Sequence, residues 1–224
     1  VEKMPLGPTL VIGPFNYPFM LALCPCIGAV AAGCPFVLKP SELCPQTGEL
    51  LLRLVGEYLD PAACRVVLGG KDCCASLLEL TWDSIIFTGS ERVGKIVASA
   101  AARTLTPCTL ELGGKSPVVI SRTAKLDLAG TRLTFGKLLN GGQLCLSPDY
   151  ALVPEELEKQ LIARVKAEAE SMYPNITEND DYTGIIDERH LKRLQGYVED
   201  AVAKGATLTI VGTSGYQANA SNRR

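Results

Sequence analysis

From Pro5 to Leu38 the chain carries no charged residue. A stretch that apolar must either cross a membrane or be buried on every side. Pro8, Pro14, Pro18, Pro25 and Pro35, with Gly13, Gly28 and Gly33, interrupt it too often for one spanning helix. It therefore reads as a strand at 9–13, a helix at 18–32 and a second strand at 35–39. Charge-free strands joined by a covering helix are what a parallel sheet buried on both faces requires.

The alternation continues. A helix is predicted at 46–58, a strand at 64–68, the turn Gly69-Gly70 and a short helix at 75–80. A strand at 84–88, a helix at 92–103, and strands at 108–112 and 117–121 follow. Such βα units predict an α/β fold, a doubly wound parallel sheet with right-handed crossovers. Past Gly113 the texture changes. A helix at 126–139, the loop 140–143 and a strand at 150–153 precede two charged amphipathic helices, 155–171 and 187–204. A last strand is expected at 207–211. Two domains are predicted, residues 1–112 and 113–224.

Charge and composition narrow the function. Lys and Arg total 22 against 24 Asp and Glu, without any block of one sign, so a broad nucleic-acid-binding face is not expected. The single histidine, His190, rules out a multi-histidine zinc site, and no metal is expected. Its charged surroundings predict a solvated imidazole, so any general base is expected to be a carboxylate. The nine cysteines are odd in number and lack a Cys-x-x-Cys pair. With no signal-peptide pattern at the start, they predict free thiols, mostly small core residues, in a reducing, cytoplasmic setting.

Four local motifs can carry chemistry, and each has a plainer alternative. Gly89-Ser90-Glu91-Arg92-Val93-Gly94 follows an apolar strand and opens a helix, where backbone N–H groups can meet a pyrophosphate. The same glycines serve any strand-to-helix turn. Lys39, Ser41 and Glu42 end another strand, where nucleotide riboses lie in open α/β sheets, or they form a solvated strand end. Glu111, between Leu110 and Leu112, is expected to be partly desolvated, which suits a general base. A carboxylate paired with a nearby cation or backbone N–H is equally open. Cys145, in Gly141-Gly142-Gln143-Leu144-Cys145, is either a nucleophile or a small loop-end residue.

Taken in order, with Asn16 in Gly13-Pro14-Phe15-Asn16-Tyr17-Pro18, these motifs closely resemble the aldehyde dehydrogenase superfamily from about Pro5 to Val211. The stretches 87–90, 105–107, 110–117 and 148–150 resemble its class 3 branch, and 136–140 and 182–195 its coniferyl-aldehyde-dehydrogenase-like members. The resemblance implies a Rossmann-like NAD-binding domain followed by the start of an α/β catalytic domain. It implies Cys145 as nucleophile, Glu111 as general base and Asn16 as oxyanion donor. Lys39, Ser41 and Glu42 would bind the adenosine ribose. Gly89, Ser90, Glu91, Arg92, Val93 and Gly94 would bind the phosphates, with Leu112 and Gly113 also touching the cofactor. That cofactor is NAD or NADP, the substrate an aldehyde, and the parent protein a homodimer without a membrane segment in this chain.

There are departures. Leu144 stands where the family usually has Thr, and Leu146-Ser147 where class 3 prefers Ile or Val, then Ala. Phe15 replaces a common Trp. Members run to about twice this length, so the resemblance implies a piece of a longer enzyme, inactive on its own. The alternative function is a catalytically incomplete fragment, at most a nucleotide-binding or interaction module. A CoA-acylating relative is disfavoured by Glu111, since that reaction needs no water-activating base.

Overall fold

Five short apolar runs, each ending at or just before a glycine, lysine or acid, set the sheet. The computed structural model describes residues 2–211. The chain divides into two compact units, Val1–Gly113 and Gly114–Arg224. In the first, strands β1 (Thr9–Ile12), β2 (Phe36–Lys39), β3 (Cys64–Val66), β4 (Ser84–Thr88) and β5 (Cys108–Glu111) form one sheet. Every pairing is parallel and the order is β3-β2-β1-β4-β5. This is a doubly wound arrangement whose order reverses between β1 and β4, opening a crevice at the carboxyl ends of those strands.

Helices α1 (Met20–Ala31), α2 (Pro45–Tyr58), α3 (Lys71–Leu78) and α4 (Glu91–Arg103) make the crossovers. Period-two alternation sends β1 side chains to two cores. Val11 joins Phe36, Leu38, Leu51 and Val55 under α1 and α2. Leu10 and Ile12 join Leu77, Trp82, Ile85, Phe87 and Val97 under α3 and α4. A strand buried on both faces tolerates no charge, which accounts for the opening stretch.

In the second unit, β6 (Ser116–Val119) and β7 (Pro148–Leu152) pair in parallel through the crossover helix α5 (Leu126–Leu138), with an irregularity at Ser116/Pro117. Helices α6 (Glu155–Met172) and α7 (Glu188–Ala203) follow. Among the described residues no helix is long and apolar enough to cross a membrane.

Three local expectations differ. Helix α3 begins at Lys71, four residues before the predicted start, because the Gly69-Gly70 turn leads straight into it and Lys71 and Asp72 lie on its exposed first turn. The 140–143 loop is mostly a tight 3-10 turn, Leu139–Gly142. Residues 207–211 form no strand; Leu208 and Ile210 are exposed. An alternating pattern makes a strand only where another edge accepts its hydrogen bonds. The polar end at 212–224 lies outside the described residues.

Candidate active site

The first unit gathers its candidate residues along the carboxyl edge of the sheet. Asn16 is half-buried in the turn between β1 and α1. The base of that turn is fixed by Gly13 N–H donating to the Lys39 carbonyl (2.9 Å), and the Cys44 thiol donates to the Phe15 carbonyl (3.3 Å). The turns after β1 and β2 are thereby tied together.

Lys39 ends β2 and is only 4% exposed, its ammonium 2.7 Å from the half-exposed Glu42 carboxylate. A cation this deep needs such a partner. Buried Ser41 accepts from the Leu43 N–H (3.3 Å), closing the turn that brings Glu42 back over Lys39. Cys74 on α3 lies near enough that Lys39 and Glu42 act on its thiol, which burial pushes above its usual value.

After β4, Ser90 caps α4, its hydroxyl accepting from the Val93 N–H (3.4 Å). Gly89 donates to the Glu111 carbonyl (3.0 Å), so the turn is pinned to the end of β5. Gly94 lets α4 pack close: a Cβ there would lie 2.8 Å from Leu112 Cδ2. Exposed Glu91 pairs with Lys95 at 2.7 Å, and that hydrogen bond holds its carboxyl below the usual range.

Glu111 is exposed, contrary to the expectation of partial desolvation. Its flanking leucines do not enclose it, because alternation sends Leu110 and Leu112 into the core and Glu111 to the other face. Leu112 is half-buried, and exposed Gly113 ends the unit.

Cys145 belongs to the second unit, exposed in the turn before β7. The Ser147 N–H donates to the Leu144 carbonyl (3.3 Å) across it. Gly114 comes so close that a Cβ would lie 2.8 Å from the Cys145 carbonyl oxygen. Most other thiols are packed away. Cys26, Cys34 and Cys64 are buried, and burial pushes Cys26 up to about 12. Cys24 is a second exposed thiol, not foreseen among the core cysteines.

His190 is not the solvated imidazole expected. It is half-buried with Nδ1 2.6 Å from Asp187 Oδ1, and the same oxygen accepts the His190 N–H at 2.7 Å. It belongs to the cap of α7. Among the described residues no group of three acids, cysteines or histidines could hold a metal. The motif reading also passed over Gln143, whose side-chain amide makes three hydrogen bonds. The Asn140-Gly141-Gly142 run before it was the available signal.

Residues 1–223 match the profile described as the aldehyde dehydrogenase family. The chain belongs to that family. It is 45% identical over 217 residues to a probable coniferyl aldehyde dehydrogenase of Pseudomonas aeruginosa, covering 97% of this chain and 46% of that protein. It is 45% identical over 200 residues to aldehyde dehydrogenase family 3 member A2 of Mus musculus, covering 89% and 41%. The solved substrate-bound state of Staphylococcus aureus AldH superposes with a TM-score of 0.90 at 40% identity, covering all of this chain and 47% of that one. These names agree with the branch expected from the motifs. The chain spans about half the length of the curated relatives it matches.

Proposed function

We propose that this aldehyde dehydrogenase family chain carries the nucleophile and dinucleotide site of an enzyme oxidising an aldehyde to its carboxylic acid with NAD or NADP. The observation that carries the reading is the family match across the chain with Cys145, Glu111 and Asn16 all at motif positions. The two domain roles follow: cofactor binding in 1–112, the nucleophile in 113–224.

The carboxyl edge of the sheet fits a dinucleotide. The first turn of α4 offers a helix N-terminus, a favourable place for phosphate, and Gly94 keeps that turn packed close to Leu112. Lys39, Ser41 and Glu42 would hold the adenosine ribose, and the Glu42 carboxylate suits a 2′-hydroxyl better than a 2′-phosphate. Leu112 and Gly113 would line the path beyond the turn. When bound, the cofactor would supply the hydride acceptor for the C–H that originates in the aldehyde.

The remaining chemistry falls to side chains. The Cys145 thiolate adds to the aldehyde carbon, giving a thiohemiacetal. The Asn16 amide and the Cys145 N–H stabilise the oxyanion. Oxidation leaves a thioester on Cys145. Glu111 takes a proton from water, and hydroxide addition expels the thiolate and releases the acid.

The nine free cysteines support a reducing, cytoplasmic compartment, and the family resemblance would make the parent protein a homodimer. The test is aldehyde-dependent NADH or NADPH formation by the protein expressed both as residues 1–224 and at the length of its relatives. Turnover at either length supports the reading. Absence of turnover at both, with dinucleotide binding retained, favours a binding module instead.

A further inference from the structure

Asn140, Gly141 and Gly142 are all left-handed, with φ of 53°, 61° and 72°. A residue with a side chain, such as Asn140, holds that conformation only where its surroundings keep it there. Gly141 is also wedged against the Thr183 carbonyl, which a Cβ would approach to 2.8 Å. Gln143 closes the turn from the other end. Its N–H donates to the Asn140 carbonyl at 3.1 Å, and its Nε2 donates to the same oxygen at 3.0 Å. Nε2 also donates to the Gly184 carbonyl at 3.2 Å, while Oε1 accepts from the Ile186 N–H at 2.9 Å. Ile186 immediately precedes Asp187, the cap of α7. One planar amide thus ties the left-handed turn to the chain entering α7, two residues before Cys145.

We propose that Gln143 is a positioning residue whose amide locks the 140–142 turn to the 184–186 segment and so sets the backbone that presents the Cys145 thiol. This rests on the reading of Cys145 as the nucleophile. The site uses both ends of the amide, one as acceptor and one as donor. A glutamate keeps the acceptor but turns its other oxygen toward two carbonyls. Only when protonated does it regain a donor. That asymmetry separates positioning from bulk packing.

The experiment compares wild type, Gln143→Ala, Gln143→Glu and Cys145→Ala at full natural length. Turnover of a small aromatic aldehyde is normalised to the number of titratable Cys145 sites. Iodoacetamide alkylation of the Cys145 peptide is followed by mass spectrometry across acid to alkaline pH, without cofactor. For Gln143→Ala the expected result is a kcat loss of roughly 10- to 100-fold per titrated site, with KM for aldehyde and cofactor within about twofold. For Gln143→Glu, the alkylation rate relative to wild type is low at neutral pH and climbs toward one in acid. A wild-type kcat per site in Gln143→Ala, or a loss seen only as fewer titratable sites, overturns the proposal. If Gln143→Ala does not fold, a pH-independent ratio for Gln143→Glu overturns it. Turnover retained in Cys145→Ala would instead overturn the nucleophile reading itself.

Discussion

Gly94 and Gly28 are both helical glycines, and the structure predicts opposite consequences of giving each a methyl group. At Gly28, exposed on α1, a Cβ meets nothing within 4 Å. Alanine there should stabilise by about 0.5–1 kcal/mol, by restricting the unfolded chain and favouring the helix. At Gly94, buried on α4, the Cβ would lie 2.8 Å from Leu112 Cδ2 and 3.6 Å from Phe87 Cε1. Carbon pairs settle at about 3.5–4 Å, so Leu112 or the helix must give way by roughly 1 Å. Overpacking of that kind costs about 1–3 kcal/mol. The helical gain cancels between the two variants, so Gly94→Ala should be less stable than Gly28→Ala by about 1–3 kcal/mol. Trp82, the single tryptophan, reports on this core because it is buried beside Phe87 in the same cluster. Urea titration followed by its fluorescence should show the Gly28→Ala midpoint rising and the Gly94→Ala midpoint falling relative to it. If both midpoints rise together, the close approach of α4 to Leu112 does not constrain residue 94.

Three further outcomes are expected. If Glu111 is the base of the proposed deacylation, Glu111→Gln should retain a pre-steady-state burst of reduced cofactor while steady-state turnover falls roughly 10²–10⁴-fold; a lost burst would move Glu111 to thiol activation. Asn16→Ala should lower kcat roughly 10²–10³-fold if Asn16 is the proposed oxyanion donor, measured with aldehyde and cofactor saturating. Asp187→Ala should cost about 1 kcal/mol by uncapping α7, read by circular dichroism during thermal unfolding. Burial opposes the charge on Asp187, but its bonds from His190 hold the carboxyl below its ordinary range. A lowered folded-state value means the stabilisation is fully present above the unfolded value and fades as pH falls through the folded one. The gap between wild type and variant should therefore hold at neutral pH and close only in strong acid.

The α/β alternation was readable because burial on two faces is itself a sequence pattern: β4 begins and ends where the apolar run 84–88 does. The charge-free opening stretch reported the same constraint. Elements without such a constraint were read less well. Lys71 and Asp72 look like loop because the exposed first turn of a helix is as polar as a loop. Residues 207–211 alternate like a strand, but pairing depends on a distant edge and leaves no mark in the segment itself. Leucines beside Glu111 suggested enclosure, yet on a strand adjacent residues face opposite ways. The candidate site residues stood out as motifs at or near strand ends. The three hydrogen bonds of Gln143 were not, since two of them reach residues 184 and 186, about forty positions away.

The most direct measurement traps the acyl group on the protein. In the Glu111→Gln background, where hydrolysis should be slow, the protein is mixed with aldehyde and oxidised cofactor, quenched in acid and digested. The account predicts an acyl mass increment on the peptide carrying Cys145, dependent on cofactor and absent from Cys145→Ala. An increment on the peptide carrying exposed Cys24 instead, or steady turnover with Cys145 never acylated, would contradict it.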